Sequence, residues 1–278
     1  MELLGKKEYM NKEHYRIIYV VLVYKNIEIT EGFYQSLEGF SDYKVVIVNS
    51  FFDADTERQC REMAARHGSD YLAVENKGYG AGNNVGIKYA MDNYDFDYLI
   101  ISNSDIEVRN LDYLYNCANT AAIYSPNTVM RTGKRQNPCS PYKLKSYLYL
   151  IKKGYETNNF RIARMGHLCN RLAIWAFELY SKIVKKDVYP IFMGHGSFIA
   201  FGQDALTKLC PVYNDRMFLY NEELYLGLKT RKNGVQILYV PSMKVLHHEG
   251  ASAGDVYSKQ FHFYRESYFE MIKEPNLF

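Results

Sequence analysis

The sequence predicts an α/β protein built on a doubly wound, mostly parallel sheet. Three observations carry that expectation. Continuous apolar, β-branched runs occur at 17–23, 44–48, 71–74 and 98–101, the pattern of strands covered on both faces. Helix-spaced segments separate them, at 27–37 and 56–67. The connections are short, as right-handed crossovers of a parallel sheet require.

Each later element has its own signal. Gly68 stops the second helix, and the glycine-rich segment 78–86 reads as a turn that opens a helix reaching about Asn93. The fourth strand ends in Ser102-Asn-Ser-Asp-Ile-Glu107. Beyond about residue 125 the alternation breaks. Residues 143–187 read as helical, with ten Lys or Arg against three acids. An apolar stretch with glycines follows at 192–201, then a helix at 221–232 stopped by Gly234. Residues 236–240 form a strand closed by Pro241, and 244–247 a separate extended piece. A terminal helix at 258–273 is rich in aromatics. One domain is expected: a ligand-binding half at about 15–125, a helical insertion at 142–188, and a second half at 190–278.

Composition narrows the function. Of 278 residues, 47% are hydrophobic and 23% charged, which supports a packed core. Net charge is +3, from 34 basic and 31 acidic residues, so binding of nucleic acid through bulk charge is excluded. The cysteines at 60, 117, 139, 169 and 210 are odd in number, widely spaced and free of CxxC. That argues against a disulfide framework or zinc ribbon and for reduced thiols. The N-terminal stretch shows no signal-peptide core, and its longest apolar run, 17–23, is too short to span a bilayer. A cytoplasmic location is expected.

Four segments carry candidate chemistry. In Asn76-Lys-Gly-Tyr-Gly-Ala-Gly-Asn-Asn-Val-Gly86, glycines after a strand allow close backbone approach to a ligand. Gly80, Gly82 and Gly86 also give GxGxxxG, but after the third strand rather than the first, where a dinucleotide loop belongs. Asn103-Ser-Asp105 lies at the carboxyl end of a buried strand, where a carboxylate can hold Mg2+ or Mn2+ or simply cap a helix. Glu222 and Glu223 open a helix among aromatics, as dipole complements or as a general base. His247 and His248 are neighbours on an extended segment and point to opposite sides.

Taken in order, these segments resemble glycosyltransferase family 2 of the GT-A fold, especially rhamnosyltransferase-like and capsule-type members. The matching pieces also include Val21-Leu-Val-Tyr-Lys-Asn26, Gly196-Ser-Phe-Ile-Ala200 and Phe218 to Glu223. The resemblance implies an inverting glycosyltransferase of surface polysaccharide synthesis. It would move sugar from a UDP- or dTDP-sugar to a glycan or lipid-linked acceptor. Tyr24, Asn49, Asn76, Gly78, Gly82, Asn83, Asn84, Asn103 and Ser104 would approach the donor. Asp105 and His247 would bind a divalent metal, Mg2+ or Mn2+. Glu223 would be the base, with Glu222 in support. The family more often has Asp where this chain has Asn49, Asn103 and Glu223. Two other readings compete: a non-catalytic transferase-like module that binds a nucleotide-sugar or glycan, and an NAD(P)-dependent oxidoreductase. The basic segment 143–187, with Trp175 and Phe177, suggests peripheral contact with the inner membrane face or a homodimer contact.

Overall fold

The computed structural model describes residues 12–25, 27–248 and 256–277. The N-terminal stretch 1–11, Asn26 and the 249–252 end of the histidine segment lie outside the described residues. In chain order the elements are β1 (Glu13–Val23), α1 (Ile27–Ser36), β2 (Tyr43–Ser50), α2 (Ala54–Arg66), β3 (Asp70–Val74) and α3 (Tyr79–Asn93). There follow β4 (Tyr94–Asn103), β5 (Ile106–Asn110), α4 (Asp112–Asn116), β6 (Ala122–Met130), α5 (Lys145–Glu156) and α6 (Phe160–Val184). The chain closes with β7 (Tyr189–Ile191), β8 (Phe198–Gly202), α7 (Gln203–Leu209), α8 (Glu222–Lys232), β9 (Gln236–His247) and α9 (Val256–Ile272).

The strands form a nine-stranded sheet in the order β3-β2-β1-β4-β8-β6-β9-β5, with β7 also on β9. β3, β2, β1 and β4 are parallel, as the apolar runs predict. The second half is mixed: β8 is antiparallel to both β4 and β6, and β6 is parallel to β9. Along β1 the side chains alternate. Ile17, Tyr19 and Val21 join Phe33, Cys60 and Met63 on one face, whereas Ile18 and Val20 join Ile87 and Leu206 on the other. Both faces are therefore dry. A third apolar cluster joins Tyr147, Ile151, Tyr155, Phe192, Leu224 and Tyr268, tying α5, α8 and α9 together.

Two expectations from sequence need correction. Residues 79–86 are helix rather than turn, and only Gly78 takes the left-handed backbone, with φ 107°. The other glycines of this segment serve close packing. A Cβ on Gly86 would stand 2.4 Å from Val20 Cγ1, and one on Gly82 2.6 Å from Leu22 Cδ1. A helix of larger residues could not lie this near the sheet. Residues 236–240 and 244–247 are one strand, β9, whose register with β6 shifts between Pro126 and Asn127.

These glycines give a test of opposite signs. Gly32, inside α1, has open space around its Cα, so Gly32→Ala is expected to stabilise by about 0.5–1 kcal/mol. Gly86→Ala is expected to destabilise, because overpacking costs about 1–3 kcal/mol and outweighs that gain. Urea midpoints of the two variants check the ranking.

Candidate active site

The parallel strands deliver their ends to one edge. Val23 pairs with Asn49, Ser50 with Val74, and Leu22 with Asn103, so Tyr24, Asn49, Asn76 and residues 103–105 lie along it. The Asn103 N–H donates to the Ser197 carbonyl at 2.8 Å, which brings the start of β8 to the same edge. His247 ends β9 opposite Ile106, the residue that directly follows Asn103-Ser-Asp105.

Asp105 and His247 meet there. His247 Nε2 is 3.2 Å from Asp105 Oδ1, and Nδ1 is 2.8 Å from Gln136 Oε1. An amide oxygen only accepts, so Nδ1 carries a hydrogen; with a proton on Nε2 as well, the ring donates to the Asp105 carboxylate, and without it Nε2 offers a lone pair beside that carboxylate. Burial works to raise the Asp105 pKa, but the hydrogen bond and charge of His247 outweigh it and hold the carboxyl below its ordinary value. His248 turns elsewhere: its Nε2 lies 3.0 Å from Glu107 Oε2. A carboxylate oxygen facing an imidazole nitrogen is a donor set that suits a divalent cation.

Glu223 approaches from α8. Its Oε1 accepts the Gly196 N–H at 3.2 Å, and a Cβ on Gly196 would crowd that oxygen at 3.3 Å. Ligating atoms of Glu223, His195 and Cys139 lie within 4.8 Å of one another, a second group able to take a cation. The His195 ring is 5.7 Å from the His247 ring, so the two groups adjoin. Glu222 differs from its neighbour. It is 6% exposed, and its Oε1 has no hydrogen-bond partner among the described residues. Burial, with the Glu223 charge behind it, pushes its pKa up to about 8. Burial also raises Glu223. Both carboxyls sit at the α8 N-terminus, where the helix dipole favours the ionised form, so desolvation is the stronger effect.

The loop ahead of α8 is held from two sides. Tyr220 and Asn221 both take left-handed backbone, φ 69° and 67°, which costs on the order of 1 kcal/mol or more each. The Tyr220 ring stacks on Tyr264 at 4.3 Å, Asn221 Nδ2 donates to the Tyr264 carbonyl at 2.6 Å, and Ser267 Oγ donates to the Leu219 carbonyl at 2.7 Å. From the other side the Tyr79 N–H donates to the Phe218 carbonyl at 3.0 Å. A Cβ on Gly78 would stand 2.2 Å from that oxygen, so only glycine allows the contact.

The residues assigned to the donor divide into two sets. Tyr24 is open at the edge and packs edge-on against Phe52 at 5.8 Å, with Lys25 Nζ 4.0 Å from the Phe52 ring centre. Asn103 and Ser104 are half-buried beside Asp105. Asn49 is buried and donates to the Tyr71 hydroxyl at 3.0 Å. The Asn76 side chain accepts the Gly78 N–H at 3.3 Å. Gly82 packs under Leu22, and Asn83 is fully buried with Nδ2 donating to the Tyr79 carbonyl at 2.9 Å. Asn84 clamps Tyr213, accepting its N–H at 3.1 Å and donating to its carbonyl at 2.9 Å. These last residues hold the scaffold. Phe51, Phe52, Gln136, Cys139 and His195 belong to the edge and were not singled out by sequence. Only His195, flanked by Gly194 and Gly196, carried a local signal.

A mixed sheet with Asp105 just past its fourth strand and an acid pair opening α8 is the layout of the GT-A fold. Comparison with solved structures bears this out. The chain superposes on GalNAc-T7 with UDP, GalNAc and Mn2+ at a TM-score of 0.59, with 12% identity over 90% of this chain and 47% of that one. For the Pyrobaculum calidifontis mannosyltransferase PcManGT, in complex with GDP-Man and Mn2+, the TM-score is 0.57, with 15% identity over 98% and 69%. In sequence it is similar to a low-salt glycan biosynthesis hexosyltransferase of Haloferax volcanii, 21% identical over 83% of this chain. It is also similar to the rhamnosyltransferase WbbL of Escherichia coli, 22% identical over 94%. The chain spans 66% of the length of the first relative and 94% of the second. No family model matches the chain. The chain thus has the GT-A fold, and in sequence it is similar to sugar transferases.

The buried acid predicts a pH signature. Glu222 binds a proton in the folded chain that an unfolded chain releases near pH 4.5, so stability falls as pH rises from there to about 8. Glu222→Gln is expected to flatten that fall, raising Tm at pH 8 more than at pH 5. Thermal melts at the two pH values check it.

Proposed function

We propose that the chain is an inverting sugar transferase. In this reading a UDP- or dTDP-sugar is the donor, and a glycan or a lipid-linked molecule is the acceptor. The observation that carries the reading is the convergence of Asp105, His247 and Glu223 at the carboxyl edge of the parallel strands. The relatives' sugar-transferase names and the nucleotide and Mn2+ in two fold neighbours support it.

The donor half offers the exposed rings of Tyr24 and Phe52 as a stacking surface for the base. The α3 N-terminus and the Gly78 backbone offer positive potential beside it. Asp105 and His247 would hold a divalent cation, which when bound neutralises charge on the leaving diphosphate. Glu223 is the base, because its carboxylate is aimed at the cleft by the Gly196 N–H whereas Glu222 is buried behind it. A hydroxyl of the acceptor gives its proton to Glu223 as its oxygen attacks the anomeric carbon from the face opposite the diphosphate. The raised pKa makes Glu223 a stronger base than an exposed carboxylate, provided it is ionised. Glu222 acts through its neighbour. Its proximity keeps the pair from ionising together at low pH.

Glu223→Gln should cut turnover about 10²–10⁴-fold while nucleotide affinity is kept, and Glu222→Gln should cut it less. Steady-state transfer assays with parallel calorimetric titration of the nucleotide check both. In the wild type, turnover should rise with pH through an apparent pKa above the ordinary carboxylate value. Asp105→Asn should abolish Mn2+ dependence and nearly all transfer. His248→Ala, which loses only a contact to Glu107, should stay near wild type.

A further inference from the structure

We infer that the outward face of α6 is a docking surface for an anionic lipid bilayer. The inference stands on this helix and needs nothing from the sugar-transfer reading. α6 buries Ala163, Gly166, Asn170 and Phe177 against the protein. At 100° per residue these four share one side of the helix. The opposite side is also apolar. Met165, Leu168, Leu172, Trp175, Leu179 and Ile183 recur at three- and four-residue spacing, and each is at least half exposed, up to 72% for Ile183. They make a stripe about 27 Å long, set almost diametrically across from the buried face. A solvated helix of a globular protein carries charged and polar residues there. This one needs a cover.

Charge decides what the cover is. Arg164, Arg171 and Lys182 fall along one flank of the stripe, Arg161 stands at its start, and the helix has a single acid, Glu178. At the C-terminal end a cavity of about 320 Å3 is lined by Arg135, Lys182, Lys185, Lys186, Ser181 and Tyr189. A second copy seated on the stripe would set the same row of cations, with Glu178 as its single acid, against this row, leaving most of the positive charge unpaired whichever way the helices ran. An anionic bilayer answers both features, taking the stripe into its acyl boundary and the cations at its phosphates. No helix among the described residues is long and apolar enough to cross a membrane, so α6 lies on the surface. The docked helix is also coupled to the cleft. Asn170 accepts from Ser140 Oγ at 2.6 Å and donates to the Cys139 carbonyl at 2.7 Å, beside His195 and Glu223.

Trp175 is the single tryptophan of the chain and lies in the stripe, so its emission reports docking directly. The experiment mixes the full chain with phosphatidylcholine vesicles, with and without phosphatidylglycerol. A blue shift and co-sedimentation are expected with the anionic vesicles alone, weakening as salt rises. Arg164→Gln with Arg171→Gln should lower the partition coefficient roughly thirty-fold, from about 1 kcal/mol per basic residue at 1.36 kcal/mol per decade. Leu172→Glu with Leu179→Glu should abolish binding while Tm and UDP–Mn2+ affinity are kept, since both side chains point away from the core. Equal binding to neutral vesicles, no blue shift, or full binding by the Leu172 and Leu179 double variant would overturn the inference. So would a dimer in sedimentation that this double variant dissolves, since the cover would then be a second copy.

Discussion

The antiparallel seam between β4 and β8 is the constraint on which the rest depends. β4 is the last strand of the parallel half, and its end carries Asp105. β8 begins where β4 stops, and the Asn103–Ser197 hydrogen bond locks the two ends together. That bond puts the Gly194–Ser197 loop at the carboxyl edge, and the Gly196 N–H then fixes Glu223. Asp105 and Glu223 are thus joined through a few backbone bonds. The Gly78–Phe218 contact ties the same halves a second time, from α3 to the loop before α8.

The acid pair is held at a cost in stability. Two carboxyls at successive positions of one helix, both largely withdrawn from water, cannot ionise together at little cost. The unpartnered Glu222 oxygen and the left-handed Tyr220 and Asn221 add to that cost. Strain and unsatisfied polarity are thus concentrated in four consecutive residues, 220–223. α9 pays for it structurally, through the Tyr264 stack and the Ser267 hydrogen bond.

The parallel half was legible because strands buried on both faces leave unbroken β-branched runs, as at 17–23 and 98–101. β5 and β6 were not. Ile106–Asn110 alternates with charge, and Ala122–Met130 contains Pro126, so neither shows such a run. α3 was hidden by its glycines, whose role in letting the helix approach Val20 and Leu22 appears only once the sheet exists. Asp105, Glu223 and His247 could be proposed from sequence because each sits in a short motif in a known order. Cys139, His195 and Gln136 could not, because they reach the cleft by closures across the fold: Gln136 to His247, and Asn137 to the His195 N–H at 2.7 Å. The exposed stripe of α6 is likewise invisible until the buried face is known, since helical spacing alone does not say which apolar side is covered.

The central claim is that this edge is a metal-assisted nucleotide-sugar site. The most direct measurement is the thermal midpoint of the wild-type chain with UDP, dTDP, GDP and NADH, each with and without Mn2+. The account predicts that UDP or dTDP stabilises the fold only when Mn2+ is present, by about 2.7 kcal/mol at one hundred times the dissociation constant. Stabilisation by NADH without metal, or by no nucleoside diphosphate under either condition, would contradict it.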